Sequence, residues 1–302
     1  MASIVLVHGI AQEQRSDIEL ENEWLPSLAG GVANAQHHEL ADRLWPIRQD
    51  GPRVARMAFY GQKFLTPDQA GPDSALSPEH LETASEIGLE WLTNALDSTK
   101  AQDAGNAQLE LEALAADGTD LQGIGAVGSR VIAALDHIPW LSKAGLVGAA
   151  RLNKTLGQVV RYLTEPDIRA YAIDEVCRHL DSNTRVVIGH SLGAVVAYEA
   201  LRWYKGQLPL LITLGSPLGL SAVNRRLQKP PAFPSSLIRW VNLADRDDIV
   251  AARPHLTKVF AINRPPWARL ESTYTVDNGS SPHRANFYLT KKATGQAIAD
   301  AM

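Results

Sequence analysis

Short apolar runs closed by glycine, proline or polar residues alternate with longer stretches of helical period, the rhythm of a parallel sheet joined by crossover helices. Ser3 to Val7 is the first such run and ends at His8-Gly9-Ile10. Arg53 to Tyr60 reads as the second, with Val54, Met57, Ala58 and Phe59 inside. Val186-Val187-Ile188, Leu208 to Leu214 and Leu237 to Leu243 follow, and Thr273 to Val276 is a short, β-branched last strand. Unbroken apolar runs are what strands covered on both faces require. Helical periodicity is predicted over Ile18 to Leu28, His37 to Trp45, Asp167 to Leu180 and Phe287 to Ala299. The fold class expected is α/β, a mostly parallel central sheet flanked by helices.

Between 61 and 160 the rhythm fails, because no convincing strand occurs there. Pro67, Gly71, Pro72 and Pro78 break the chain at its entry. Ser77-Pro78 has the form of an N-cap with proline at the first helical position, opening a helix over Leu81 to Leu96. Further helices are predicted over Ala107 to Ala116, Val127 to Leu135 and Leu141 to Tyr162. The expected organisation is a core of residues 1–65 and 160–302 with a large helical cap inserted at 66–159. Such an insertion would lie over the site and shape its pocket. The charge-poor stretch from Ile124 to Leu152 reads as a packed cap interior or as an apolar patch that receives an acyl chain or touches a lipid interface.

The chemistry concentrates at Gly189-His190-Ser191-Leu192-Gly193, a G-x-S-x-G between a strand and a buried-looking helix. A turn that sharp holds Ser191 in a strained backbone conformation at the carboxyl end of the sheet. A serine hydroxyl needs a base, and the base needs an orienting acid. Two histidines follow Ser191, and His283, in a Gly/Ser/Pro loop after the last strand, is the base candidate; His255 reads as structural or surface. Asp245, Asp247 and Asp248 all follow the strand ending at Leu243. Asp247 and Asp245 are the candidates for the acid, and Asp248 reads as solvated. Backbone N–H groups of Ile10 and Leu192 are the candidate oxyanion donors, with Gly9 in reserve for the first. His190 sits too close along the chain to serve as base and reads as packing at the turn.

Other signals are set aside on physical grounds. Gly123-Ile-Gly-Ala-Val-Gly128 matches G-x-G-x-x-G, but no strand leads into it and no acidic residue follows at the required distance. Adjacent His37 and His38 would point about 100° apart on a helix and cannot share a metal. A net charge of −4 provides no basic footprint for nucleic acid. The single Cys177 fits a reducing compartment. No charged n-region precedes the first strand and no run of about 20 apolar residues occurs, so a cytoplasmic protein without a transmembrane segment is expected. Oligomeric state is not readable from the chain.

Val7-His8-Gly9, Gly189 to Gly193 and Leu214-Gly-Ser-Pro-Leu-Gly219 together resemble the α/β-hydrolase superfamily, and within it the lipase and inositol-deacylase-like branch. The likeness covers residues 1–60 and 160–302. It implies hydrolysis of a small-molecule acyl ester through an acyl-serine, with Ser191, His283 and Asp247 as the triad and with neither cofactor nor metal. An acyltransferase or thioesterase acting on a carrier-bound or polyketide-like acyl group would use the same triad. A non-catalytic ligand-binding relative would lack part of it.

Overall fold

The computed structural model describes residues 2–46, 53–65, 77–116, 124–143, 149–251 and 256–302. Six strands, β1 (Ile4–Val7), β2 (Ala55–Ala58), β3 (Val186–His190), β4 (Leu208–Leu214), β5 (Leu237–Asp245) and β6 (Arg269–Val276), form one sheet in the order β2-β1-β3-β4-β5-β6. Every neighbouring pair is parallel. The chain leaves β1 toward β2 on one side, then returns to place β3 on the other. The crevice beyond the carboxyl ends of β1 and β3 is therefore a topological switch point, where open parallel sheets bind ligands.

Side-chain alternation along the strands divides the core in two. Ile4, Leu6, Val186, Ile188, Leu210 and Ile212 face one layer, built from α1 (Asp17–Asn34) and α2 (His38–Leu44) before β2 and from the C-terminal helices. Val5, Val7, Val187 and Leu211 face the other. Between β2 and β3 that second layer receives α3 (Pro78–Ala95), α4 (Ala101–Ala116), α5 (Ile124–Asp136), α6 (Pro139–Lys143), α7 (Ala149–Thr164) and α8 (Pro166–His179). It is completed by α9 (Leu192–Leu201), whose ten residues are all buried. The short α10 (Ser221–Asn224) and α11 (Leu256–Phe260) join the later strands, and α12 (Ala285–Leu289) and α13 (Lys292–Ala301) follow β6.

Local chemistry explains the element ends. Ser16 caps α1 with a complete capping box, its hydroxyl accepting from Glu19 N–H and the Glu19 carboxylate accepting from Ser16 N–H. The helix runs past Pro26 to Asn34, beyond the expected end at Leu28, because Leu28, Ala29 and Val32 continue a buried face against α13. Ser77 Oγ accepts from His80 N–H at 3.2 Å and Pro78 opens α3, as the cap pattern predicts. Where one helix is expected over Leu141 to Tyr162, α6 and α7 are separate, and 144–148 lie outside the described residues. The expected final helix is likewise two. Thr294 Oγ1 donates to Tyr288 O at 2.7 Å across the break, with Lys291 extended at ψ 140.

Gly125 and Gly128 fall within α5, which packs on α3, so no strand feeds the G-x-G-x-x-G stretch; Gly123 lies outside the described residues. Val131, Ile132, Leu135, Ile138, Trp140 and Leu141 are buried, as a packed interior requires. His37 is the N-cap position of α2 without a side-chain capping bond. Cys177 is a free, half-buried thiol. No described helix is long and apolar enough to cross a membrane.

Candidate active site

β3 ends at His190 and α9 begins at Leu192, leaving Ser191 as the single residue that turns the chain. Its φ of 55° and ψ of −128° lie in a region that L residues rarely adopt, a strain that persists only because the surroundings fix it. Ser191 N–H donates to Leu214 O of β4 at 3.0 Å. The flanking glycines make the turn possible. A Cβ at Gly189 would stand 2.5 Å from Gly193 O, and one at Gly193 would overlap the carbonyls of Val7 and His8. Gly9 is pressed against the serine, where a Cβ would meet Ser191 Cβ at 2.9 Å.

His283 comes from the loop between β6 and α12. Its Nε2 lies 2.9 Å from Ser191 Oγ, and its Nδ1 lies 2.9 and 2.8 Å from the two oxygens of Asp248. An ionised carboxylate only accepts, so Nδ1 carries the ring proton and Nε2 is left to accept from the serine hydroxyl. The Asp248 side chain is fully buried. Burial pushes its pKa up, but the neighbouring His283 and hydrogen bonds from His283 and Tyr288 outweigh that, and the carboxyl is held below its ordinary value. Tyr288 Oη donates to Asp248 Oδ2 at 2.8 Å and accepts from Asp245 N–H at 2.9 Å. Burial, with Asp248 beside it, raises the phenol well above its usual value and keeps it a donor.

The carboxylate facing His283 is thus Asp248, buried where solvent exposure was expected, and not Asp247 or Asp245. Asp245 ends β5, and Asp248 N–H bonds back to Asp245 O at 3.1 Å, so the three carboxylates sit on one tight turn and diverge. Asp247 points toward the segment before α4, where its Oδ1 accepts from Thr99 N–H at 2.7 Å and its Oδ2 from Thr99 Oγ1 at 2.7 Å. Asp245 braces the turn, its Oδ1 accepting from Asp247 N–H at 2.8 Å and its Oδ2 accepting from Asn278 N–H. His255 lies outside the described residues.

Two other histidines are structural. His190 Nε2 donates to His283 O at 2.8 Å, so it holds the loop that carries His283 as well as packing the turn. Burial, and then the nearby His283, lower its pKa to about 3. His8 accepts from Tyr60 N–H through Nε2 at 3.1 Å and donates to Gly9 O through Nδ1 at 2.7 Å. Burial lowers its pKa to about 4. Neither Tyr288 nor the His190 bond has a sequence signal, because both contacts join segments far apart along the chain.

A cavity of about 400 Å³ opens on Ser191 and His283. Gly9, Ile10, Ala11 and Leu192 line it on one side, and Ile87, Trp91, Trp140, Thr155 and Val159 line it from the helices between β2 and β3. Leu192 opens α9, so its N–H has no carbonyl one turn back within the helix. Ile10 precedes Ala11, whose φ is 59° and whose N–H donates to Gln158 Oε1 of α7 at 2.7 Å. Gln158 in turn donates to Glu13 at 2.8 Å, and Glu13 pairs with Lys154 at 2.7 Å.

A buried acid, an imidazole and a hydroxyl in one hydrogen-bonded chain can move a proton off the hydroxyl as its oxygen attacks an electrophile. Among the described residues, no group of three His, Cys, Asp or Glu side chains is arranged to hold a metal ion. No protein-family model matches the chain, and neither a curated protein nor a solved structure does.

Proposed function

We propose that the protein is a serine hydrolase that cleaves a carboxylic ester through an acyl-serine, on an α/β-hydrolase core with the helices of 77–164 as its cap. The observation that carries this reading is the unbroken Ser191–His283–Asp248 relay, opening into a cavity of ligand size. His283 Nε2 takes the Ser191 proton as Oγ attacks the acyl carbon, and the carbonyl π electrons move onto oxygen. The N–H groups of Ile10 and Leu192 receive that oxyanion. Asp248 holds the tautomer that leaves Nε2 basic and stabilises the imidazolium. Collapse breaks the bond to the leaving alcohol, which takes the proton from His283. Water then attacks the acyl-serine by the same route, releasing the acid and restoring the Ser191 hydroxyl.

A fluorophosphonate probe should label the wild-type protein, and Ser191→Ala should abolish both label and ester turnover, lowering kcat by about 10⁴-fold or more with the fold intact. Short p-nitrophenyl esters hydrolysed equally fast by Ser191→Ala would overturn the reading.

A further inference from the structure

Asp248 is aimed by more than its own turn. Its Oδ1 accepts from Val250 N–H at 3.2 Å and from Ala251 N–H at 3.3 Å, both within the turn. Its Oδ2 accepts from Tyr288 Oη at 2.8 Å. Among the described residues, His283 and Tyr288 are the only side chains that hydrogen-bond to this carboxylate. The phenol proton has one direction open to it. Asp245 N–H can only donate, and it donates to Tyr288 Oη at 2.9 Å; the ionised carboxylate can only accept, so the proton lies toward Asp248.

Nothing nearby stands ready to replace the hydroxyl. The Tyr288 ring and the Asp248 side chain are both fully buried. A Cβ at Gly215 would stand 2.8 Å from Asp248 Oδ2, so the end of β4 closes over the carboxylate as well. Loss of the hydroxyl would leave Oδ2 with His283 alone and take away the acceptor of the Asp245 N–H, both out of reach of water. Base and brace also arrive together, His283 just before α12 and Tyr288 within it. His190 Nε2 fixes the first by donating to His283 O at 2.8 Å, and Thr294 Oγ1 fixes the second by donating to Tyr288 O at 2.7 Å.

We propose that Tyr288 is a positioning residue for the ester hydrolysis, its hydroxyl holding Asp248 so that the carboxylate faces His283 Nδ1 and leaves Nε2 for Ser191. This rests on the ester hydrolase reading above and adds a fourth member to its relay. Besides orienting the carboxylate, the donor favours the state in which the Asp248–His283 pair carries one proton fewer, because no imidazolium then offsets the charge on Asp248. Removing it therefore moves the acid-side fall of kcat/KM to higher pH. The other ionisable groups around Asp248 do not take over. Burial keeps His190 neutral above about pH 3, and Asp245 and Asp247 are bonded elsewhere.

The test is a pH series on the full chain with p-nitrophenyl butyrate. Tyr288→Phe keeps the ring and loses the hydroxyl. It should lower kcat by about tenfold with KM little changed, and move the acid-side half-maximum of kcat/KM up by about 0.5 pH unit. Site-specific replacement of Tyr288 by 3-fluorotyrosine, a stronger donor of nearly the same shape, should move that half-maximum down, and it serves alone if the Phe variant does not fold. A hydroxyl that matters only to packing would cost the Phe variant melting temperature and leave its acid-side half-maximum in place, a result that overturns the proposal whatever happens to kcat. A fluorotyrosine protein whose half-maximum stays at or above the wild-type position overturns it too. Either result, with wild-type protein that labels with a fluorophosphonate and cleaves the ester, leaves the hydrolase reading standing. Wild-type protein that does neither removes that reading, and the role of Tyr288 with it.

Discussion

Asp247 and Asp248 are adjacent, equally acidic and opposite in what they touch. Asp248 accepts from His283 and Tyr288, whereas Asp247 accepts from Thr99. On the proposed reading Asp248→Asn should lower kcat by about 10⁴-fold, because an amide there can no longer fix the imidazole tautomer. Asp247→Asn should stay within about tenfold of wild type, its loss appearing instead as a lower melting temperature; steady-state kinetics and thermal melts on the two variants would separate the roles. The reversed order of effects would return the acid to position 247. Ser191 and His283 were legible in the chain because their neighbourhoods are distinctive: two glycines in a strand-to-helix turn, and a Gly/Ser/Pro loop after a strand. Which carboxylate faces His283 was not, because Asp245 to Asp248 form one turn, and the direction of each side chain there is set by partners distant in sequence. The apolar pair Ile249-Val250 marks the turn but not which carboxylate faces inward.

At the scale of elements, the loop after β1 is tied to α7 through Gln158, which pairs the Ala11 N–H beside the proposed oxyanion donor Ile10. Gln158→Leu should lower kcat about tenfold or more with little change in KM, since a displaced donor is felt chiefly in the transition state. A variant that loses melting temperature but keeps kcat would show that the tie serves stability alone. The interior strands follow the apolar pattern closely, β4 matching Leu208 to Leu214 to the residue. The edge strand β6 begins at Arg269, well before the β-branched run from Thr273, because an edge strand readily carries polar side chains such as Arg269, Glu271 and Ser272. The division of the C-terminal helices also escaped the pattern. Their period continues through Thr290 and Lys291, while the extended Lys291 and the Thr294 to Tyr288 bond mark the break.

For the whole molecule, two buried neutral histidines set a pH dependence. Burial lowers His8 to about 4 and His190 to about 3, while in the unfolded chain each takes up a proton near 6.5. The unfolded state therefore binds more protons throughout that interval. The stability due to neutrality is complete above about pH 6.5 and is lost as the pH falls toward 4. Both residues act in the same direction, so the fall in stability is steepest between roughly pH 4 and 6. Asp248, held below its ordinary value, acts in the same direction at lower pH: its contribution is present above the unfolded carboxyl value and lost as the pH falls through the folded one. Urea unfolding at pH 7 and pH 5 should show a clear drop in midpoint, and an unchanged midpoint would contradict the neutral assignment.

The strand order has one more effect, felt while the chain is being made. Gly9 and Ile10 leave the ribosome before Ser191, and His283 and Tyr288 emerge only after β6. A nascent polypeptide halted after β5 would display its hydroxyl and oxyanion loop with no imidazole beside them. On the proposed reading, reactivity is withheld until β6 and the loop after it have been made, and shorter nascent chains are inert toward any ester they meet.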